Sequence, residues 1–534
     1  MILQRIGNRG IGLGTLFERG AARHPGNELV LDHELSVAPE LGRRIGIAAV
    51  AELIADLASR LWEAGVRPGD RVVVYKSNGF DITLLACAVA RAGGVPVLLS
   101  PMLDGATVLE LLRRVGQPFL LTDEAKLAAD LTDEVFGLAA QVLLASGEHP
   151  SAVSLRSLVN CPRRAVIPRS PDEPTLITHT SGTTGTPKLA VHTSRTLQAR
   201  YRPQATAVTP IIRKGDTVAI HVSFVHSRLF TAMAISLLRG LRMLVLVDDR
   251  LDRAAELFVE YRPSILEAHP NSFMAWEPMA TDPRRPLAGV KLFSSTFDAI
   301  HPRTVHTLLG ASARRLPLFG QLYGQSEVGP AVVRAFTRRH PEGADGRCVG
   351  MPFPGMTDAR VVSRNGLPPS RTNPGYIEVR SDGRVRTYLG EQERYDQQVS
   401  DGGWWRMGDV GYRTRLGCVH LLDREVDLIE GFGSTLAVED ALFGKLADLR
   451  EVVIIPGPDG LPVPVIALDD GARLDPAEWR RATAGLPPMA EPVQWRLSDL
   501  PHTATTKIKR LELARIIAER AQGPAEQAQE RVGR

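Results

Sequence analysis

Alternating helix-like and strand-like segments predict an α/β protein, in which parallel-rich sheets covered by helices carry a β-rich lobe and a small α+β unit toward the C-terminus. Three observations predict it. Apolar spacing switches between helical and strand periods across residues 45–125 and again across 217–322. Short, Gly-punctuated strand-like pieces fill 345–422, and a smaller α/β pattern follows Asp423.

In chain order, AVAELIADLASRLWEAG has apolar residues at helical spacing and stops at Gly65. VRPGDRVVVY is a turn feeding a strand. DITLLACAVARAGG reads as helix, VPVLLS as strand, TVLELLRRVG as helix and PFLLTD as strand. After the Gly/Thr-rich stretch near 180 the rhythm returns: TVAIHV, RMLVLVDD, SILEAH, GVKLFSST and FGQLYG as strands, SRLFTAMAISLLRG and DRAAELFVEYRP as helices. Strands separated by helices form parallel sheets, and polar loops after their C-terminal ends line ligand crevices. CVGMPFPG, ARVVSRNG, GYIEVRSDGRV, WWRMGDVGYRT and CVHLLD read as a separate β-rich lobe at about 345–422. Beyond it come a helix in AVEDALFGKLA, strands in EVVIIP and VPVIAL, a helix in PAEWRRATAG and a last strand. The expected division is a large domain over 1–422, a small one over 423–515 and a disordered tail over 516–534.

The 534 residues, 44% hydrophobic, suffice for a large core and more than one domain. Lys and Arg number 64 against 60 Asp and Glu, scattered without blocks, so no nucleic-acid groove is indicated. Four distant cysteines without metal-like spacing imply reduced thiols. No signal peptide and no apolar run of membrane-spanning length is recognisable, so a cytoplasmic protein is expected. The oligomeric state is not legible.

The stretch THTSGTTGTPKLAVHTS places Thr180, Ser181, Gly182, Thr183, Thr184, Gly185 and Lys188 in a loop after an apolar strand and ahead of a helix. Backbone N–H groups of a Gly-rich turn converge on an anion, hydroxyls add donors, and lysine adds charge. The Walker A spacing is absent.

The string resembles the phosphate-loop signature of the acyl-adenylate-forming (AMP-binding) superfamily, and further motifs recur in that family's order over roughly residues 15–515. LYGQSEVG resembles the motif that places an aromatic residue, a hydroxyl near the α-phosphate and a Mg²⁺-binding glutamate, here Tyr323, Ser326 and Glu327. WWRMGDVG is similar to the ribose-binding pattern and puts Asp409 on the ribose hydroxyls, with Met407 for the usual threonine. LLDREVDLIEGFG resembles the interdomain segment. It puts Arg424 on ribose and phosphate, Val426 at the hinge and Asp423 in place of a glycine. LPHTATTKIKRLEL puts Lys507 on the lysine that serves adenylation, with Thr506 for a glycine. SFVHSRLF and KLFSSTFDAI supply His226, Ser295 and Thr296, the last beside adenine, and Asn271 joins His226 and Ser295 as a pocket residue. Val225 stands where peptide-synthetase domains carry an aspartate, which disfavours α-amino acids.

The resemblance implies an ATP-dependent carboxylate:CoA ligase. A carboxylic acid would attack MgATP to give acyl-AMP and pyrophosphate, and CoA would then take the acyl group. An acyl- or aryl-AMP ligase that loads a separate acyl carrier protein, or another biosynthetic adenylate-forming synthetase, is the alternative, and a non-catalytic nucleotide-binding protein is the remaining one.

Overall fold

The computed structural model describes residues 10–180, 186–340, 345–468, 472–502 and 508–520. Ser181 to Gly185, Lys507 and the chain beyond 520 therefore lie outside the described residues.

Apolar runs such as Val72, Val73 and Val74 have no polar face, so their strands must be covered on both sides. They lie in a seven-stranded sheet ordered Val153–Ser154, Gln141–Leu144, Phe119–Thr122, Arg71–Val74, Val95–Leu98, Pro174–His179 and Leu189–Thr193. Every neighbouring pair is parallel except the last, which is antiparallel. The Leu189–Thr193 strand makes the Gly/Thr-rich stretch a hairpin connection; a strand therefore separates it from the helix Ser194–Val208.

The second sheet has 14 strands. Its parallel part runs Glu28–Leu31, Arg242–Val245, Thr217–His221, Ile265–Ala268, Leu292–Ser295 and Leu318–Gln325. From there it continues antiparallel through Gly329–Phe336, Cys348–Pro352, Val419–Arg424, Trp404–Arg413, Gly375–Ser381 and Thr357–Val362. The β-rich segment expected as a separate lobe is thus an extension of the parallel sheet. Helices Ile47–Glu63, Asp81–Arg91 and Ser227–Arg239 contribute Leu57, Leu85 and Met233 to one core with Val74 and Leu176 of the first sheet and Ile220 and Val245 of the second. The outer face of the second sheet packs Phe258, Phe273 and Trp276 over Leu244, Leu266 and Phe293.

Strands Leu449–Ile455, Val463–Leu468 and Val493–Trp495 form a separate three-stranded sheet, with helices Thr435–Lys445 and Pro476–Thr483 beside it. A further helix covers 510–520 and reaches into the segment expected to be a disordered tail, because Leu513 and Ile517 bury against Val453 and Val465. Among the described residues no helix is long and apolar enough to cross a membrane.

Pairing of Trp404–Arg413 with Val419–Arg424 sets Asp409 opposite Arg424, with an irregularity between Val410 and Gly411. A Cβ on Gly411 would lie 1.9 Å from the His420 carbonyl oxygen, so only glycine allows this approach. Gly411→Ala is expected to cost about 1–3 kcal/mol in chemical denaturation by forcing the strands apart; an unchanged midpoint would contradict this reading of the pairing.

Candidate active site

Polar side chains gather beyond the C-terminal ends of the parallel strands, where the sheet turns antiparallel. Tyr323, on Leu318–Gln325, donates its hydroxyl to Asp409 Oδ2 at 2.6 Å. Arg424 Nε stands 3.0 Å from Asp409 Oδ1. Asp409 is buried, and these partners compensate the charge. Burial first, then the Asp409 carboxylate, push the Tyr323 phenol well above its ordinary value, so it remains a donor.

Thr180 and Lys188 close the neck of the Gly/Thr-rich hairpin. The Thr180 amide donates to the Lys188 carbonyl at 2.9 Å, and the Lys188 amide donates to Thr180 Oγ1 at 3.2 Å. Lys188 Nζ lies 3.7 Å from Glu327 Oε1 and 4.8 Å from the centroid of the Tyr388 ring. Burial draws the Lys188 pKa down, while Glu327 opposes that shift. The Tyr388 hydroxyl donates to Glu327 Oε1 at 2.6 Å. Among the described residues nothing donates to the other Glu327 oxygen, and no cluster of three or more His, Cys, Asp or Glu side chains is arranged for a metal. Mg²⁺ at a nucleotide needs only one or two carboxylates beside phosphate oxygens and water, so this donor set fits it.

His226 caps the helix Ser227–Arg239, its Nδ1 accepting from the Arg228 amide at 3.1 Å. With Nδ1 the acceptor, Nε2 carries the proton and donates to Ser326 Oγ at 3.1 Å. The hydroxyl hydrogen of Ser326 is then available to a ligand. Burial, then the Arg200 charge, pull His226 down to about 3, so it is neutral at ordinary pH. Phe297 wedges between His226 and His269, with ring centroids 4.8 and 4.3 Å away, and holds a φ of 83°, a strained value for a residue with a Cβ. Ser295 and Thr296 are buried, and their hydroxyls have no hydrogen-bond partner among the described residues. Asn271 lies exposed on the helix Pro270–Ala275, apart from this hydrogen-bonded set.

Sequence reasoning missed Arg200, Tyr388 and the Arg228–Glu267 pair. Arg200 is buried and donates to the carbonyls of Gly383, Ser326 and Glu327 and to Ser227 Oγ, at 2.7–2.9 Å. In the string SRTLQARYRP it is one arginine among three, with nothing local to separate it from exposed Arg195. Tyr388 and Glu267 likewise carry no motif; only the tertiary fold brings them in.

The sequence profile of the AMP-binding enzyme family matches residues 17–389. The chain belongs to that family. The 3-amino-2-hydroxy-4-methoxybenzoate diazotase of Streptomyces cremeus is 46% identical over 97% of each chain. The 3-aminoavenalumate diazotase of a Streptomyces species is 27% identical, over 84% of this chain and 82% of its own. Among solved structures, the anthranilate CoA ligase AuaEII in complex with anthranoyl-AMP superposes with a TM-score of 0.81 at 17% identity, covering 96% of this chain and 98% of that one. Its likeness is one of fold. As an AMP-binding enzyme the chain is adenylate-forming, and the fold class read from its sequence is the fold of the family.

Two outcomes follow from the site's geometry. Because His226 is held neutral, its contribution to stability is complete above pH 6.5, the ordinary histidine value, and declines as pH falls toward 3. Unfolding midpoints measured from pH 7 to 4 should therefore fall less steeply in His226→Gln than in the parent; equal slopes would refute the neutral assignment. Arg200→Met leaves three carbonyls without their donor and is expected to destabilise by several kcal/mol, at about 1–3 kcal/mol for each orphaned acceptor. A denaturant titration measures it, and a loss under about 1 kcal/mol would deny Arg200 its role.

Proposed function

We propose that the chain is an ATP-dependent, AMP-forming diazotase acting on an aromatic amine that also bears a carboxylate. The observation that carries this reading is the 46% identity to the Streptomyces cremeus 3-amino-2-hydroxy-4-methoxybenzoate diazotase over nearly the full length of both chains.

Diazotisation needs nitrogen at the oxidation level of nitrite, and with nitrite as co-substrate no oxidant or reductant is consumed. Nitrite, like a carboxylate, is an oxyanion able to attack phosphorus. One of its oxygens bonds to the α-phosphorus of ATP, the bond to the β-phosphate oxygen breaks, and pyrophosphate leaves. The mixed anhydride of nitrous acid and AMP presents an electrophilic nitrogen. The amine attacks that nitrogen, the N–O bond breaks, and AMP leaves with the former nitrite oxygen. The amine nitrogen loses a proton; the N-nitrosoarylamine tautomerises to the diazohydroxide and expels hydroxide as the diazonium forms.

In this reading Asp409, held by Tyr323 and Arg424, accepts from the ribose hydroxyls. Lys188, the 181–185 loop and Lys507 offset the repulsion between nitrite and ATP. Glu327 would hold Mg²⁺, which would supply charge neutralisation at the phosphates. Ser326 donates to an α-phosphate oxygen, and neutral His226 fixes the hydroxyl without protonating the amine.

The second reading is a carboxylate:CoA ligase, with CoA or a carrier-protein thiol as acceptor. It is favoured by the nucleotide-facing residues, which serve carboxylate activation equally well. Oxygen labelling separates the two. With ¹⁸O-nitrite, ATP and an aminobenzoate, AMP should carry the label and its formation should need nitrite. Label reaching AMP from an ¹⁸O-carboxylate instead, with aryl-CoA formed when CoA is added, would assign the ligase.

A further inference from the structure

Arg228 lies in the first turn of Ser227–Arg239, two residues after His226, and is only 7% exposed. Its Nε and Nη2 donate to the two carboxylate oxygens of Glu267 at 2.5 and 2.7 Å. Its Nη1 is buried and has no hydrogen-bond partner among the described residues. The pair is neutral as a unit, yet an N–H-bearing nitrogen remains with nothing to donate to, and buried donors are rarely left so.

The surroundings supply a place for an acceptor. Glu267, Ser294 and Gly320 are Cα partners on three adjacent parallel strands, so they form one row on one face of the sheet. Ser294 and Gly320 are half-buried, whereas Phe293 and Phe319, facing the other side, are wholly buried. A Cβ built on Gly320 would meet only the Phe293 carbonyl oxygen, at 3.7 Å, so the floor above it is open. The next loop carries Phe297, which touches His226, which in turn holds Ser326. The row therefore leads from a buried, unpaired guanidinium nitrogen toward the hydroxyl beside the nucleotide.

We propose that Arg228 Nη1 binds the carboxylate of an aromatic amine lying over Ser294 and Gly320, so that the amine, and not the carboxylate, faces Ser326 and the nucleotide. This rests on the diazotase reading and deepens it: the carboxylate that a CoA ligase would activate becomes the handle by which the ring is oriented. Glu267 acts through Arg228 as a positioning residue, fixing the guanidinium plane and leaving one edge for a planar anion.

The test is equilibrium binding to the full-length protein, by calorimetry without ATP or nitrite, of 3-aminobenzoate and its neutral isostere 3-aminobenzamide. The parent should prefer the carboxylate about 30-fold, the size of a charge-assisted contact. Arg228→Gln with Glu267→Gln should bring the ratio to about unity while AMP binding persists. Should that variant fail to bind AMP, Arg228→Met with Glu267→Leu replaces the pair by apolar groups and is read the same way. Equal binding of the two ligands by the parent, or a preference surviving in a variant that binds AMP, overturns the proposal. Nitrite label in AMP with that surviving preference sinks the Arg228 anchor alone. Loss of the preference without nitrite label in AMP sinks the diazotase reading alone.

Discussion

The site depends on one buried cation. Arg200 reaches from the helix Ser194–Val208 to the carbonyls of Ser326, Glu327 and Gly383 and to the hydroxyl of Ser227. Four segments distant in sequence are fixed to a single planar fork: the motif strand end, the start of the His226-capped helix, a turn of the antiparallel extension and the arginine's own helix. Burial lowers the guanidinium to about 9, with Glu327 opposing, so it stays charged at neutral pH and its donors stay directed at those carbonyls. A lysine could not satisfy them in one plane. The positions of His226 against Ser326, and of Glu327 against Lys188 and Tyr388, follow from this anchor.

The two halves of the site are held by different means. Around Asp409, strand register sets the contacts: Asp409 meets Arg424 because their strands pair there, and Tyr323 reaches Asp409 from the last parallel strand. Register shifts move every side chain to the other face, so this half resists gradual change. On the opposite side the chemistry rests on a helix cap, one loop with a strained Phe297, and a strand row whose side chains are replaceable one at a time.

That division explains what was legible. The βα alternation, the parallel sheets and the residues around Tyr323, Glu327, Asp409 and Arg424 were readable, because periodicity and motif spacing are local properties. The continuity of the β-rich segment with the parallel sheet was not, since strand partners are chosen at long range. Nor was the Leu189–Thr193 strand, whose five residues stand directly against the Gly/Thr-rich stretch. Arg200, Tyr388 and Arg228 were invisible because a buried arginine or tyrosine looks in sequence like an exposed one. The expected CoA acceptor had no motif of its own, since the motifs that carry the resemblance concern phosphate and ribose.

The replacement of the interdomain glycine by Asp423 has a structural cause. Its buried carboxylate accepts from the Thr435 amide at 3.1 Å and from the Thr435 hydroxyl at 2.5 Å, at the start of the helix Thr435–Lys445. Burial raises it to about 6 despite those bonds. Arg347 pairs with Asp440 on the same helix at 2.7 Å, and Arg510 pairs with Glu439 at 2.7 Å while lying 3.7 Å from Asp427. Turning the three-stranded unit about Val426 would have to break the Asp423 and Arg347 contacts and expose groups that now compensate one another, at a cost of several kcal/mol for each buried charge left unpaired.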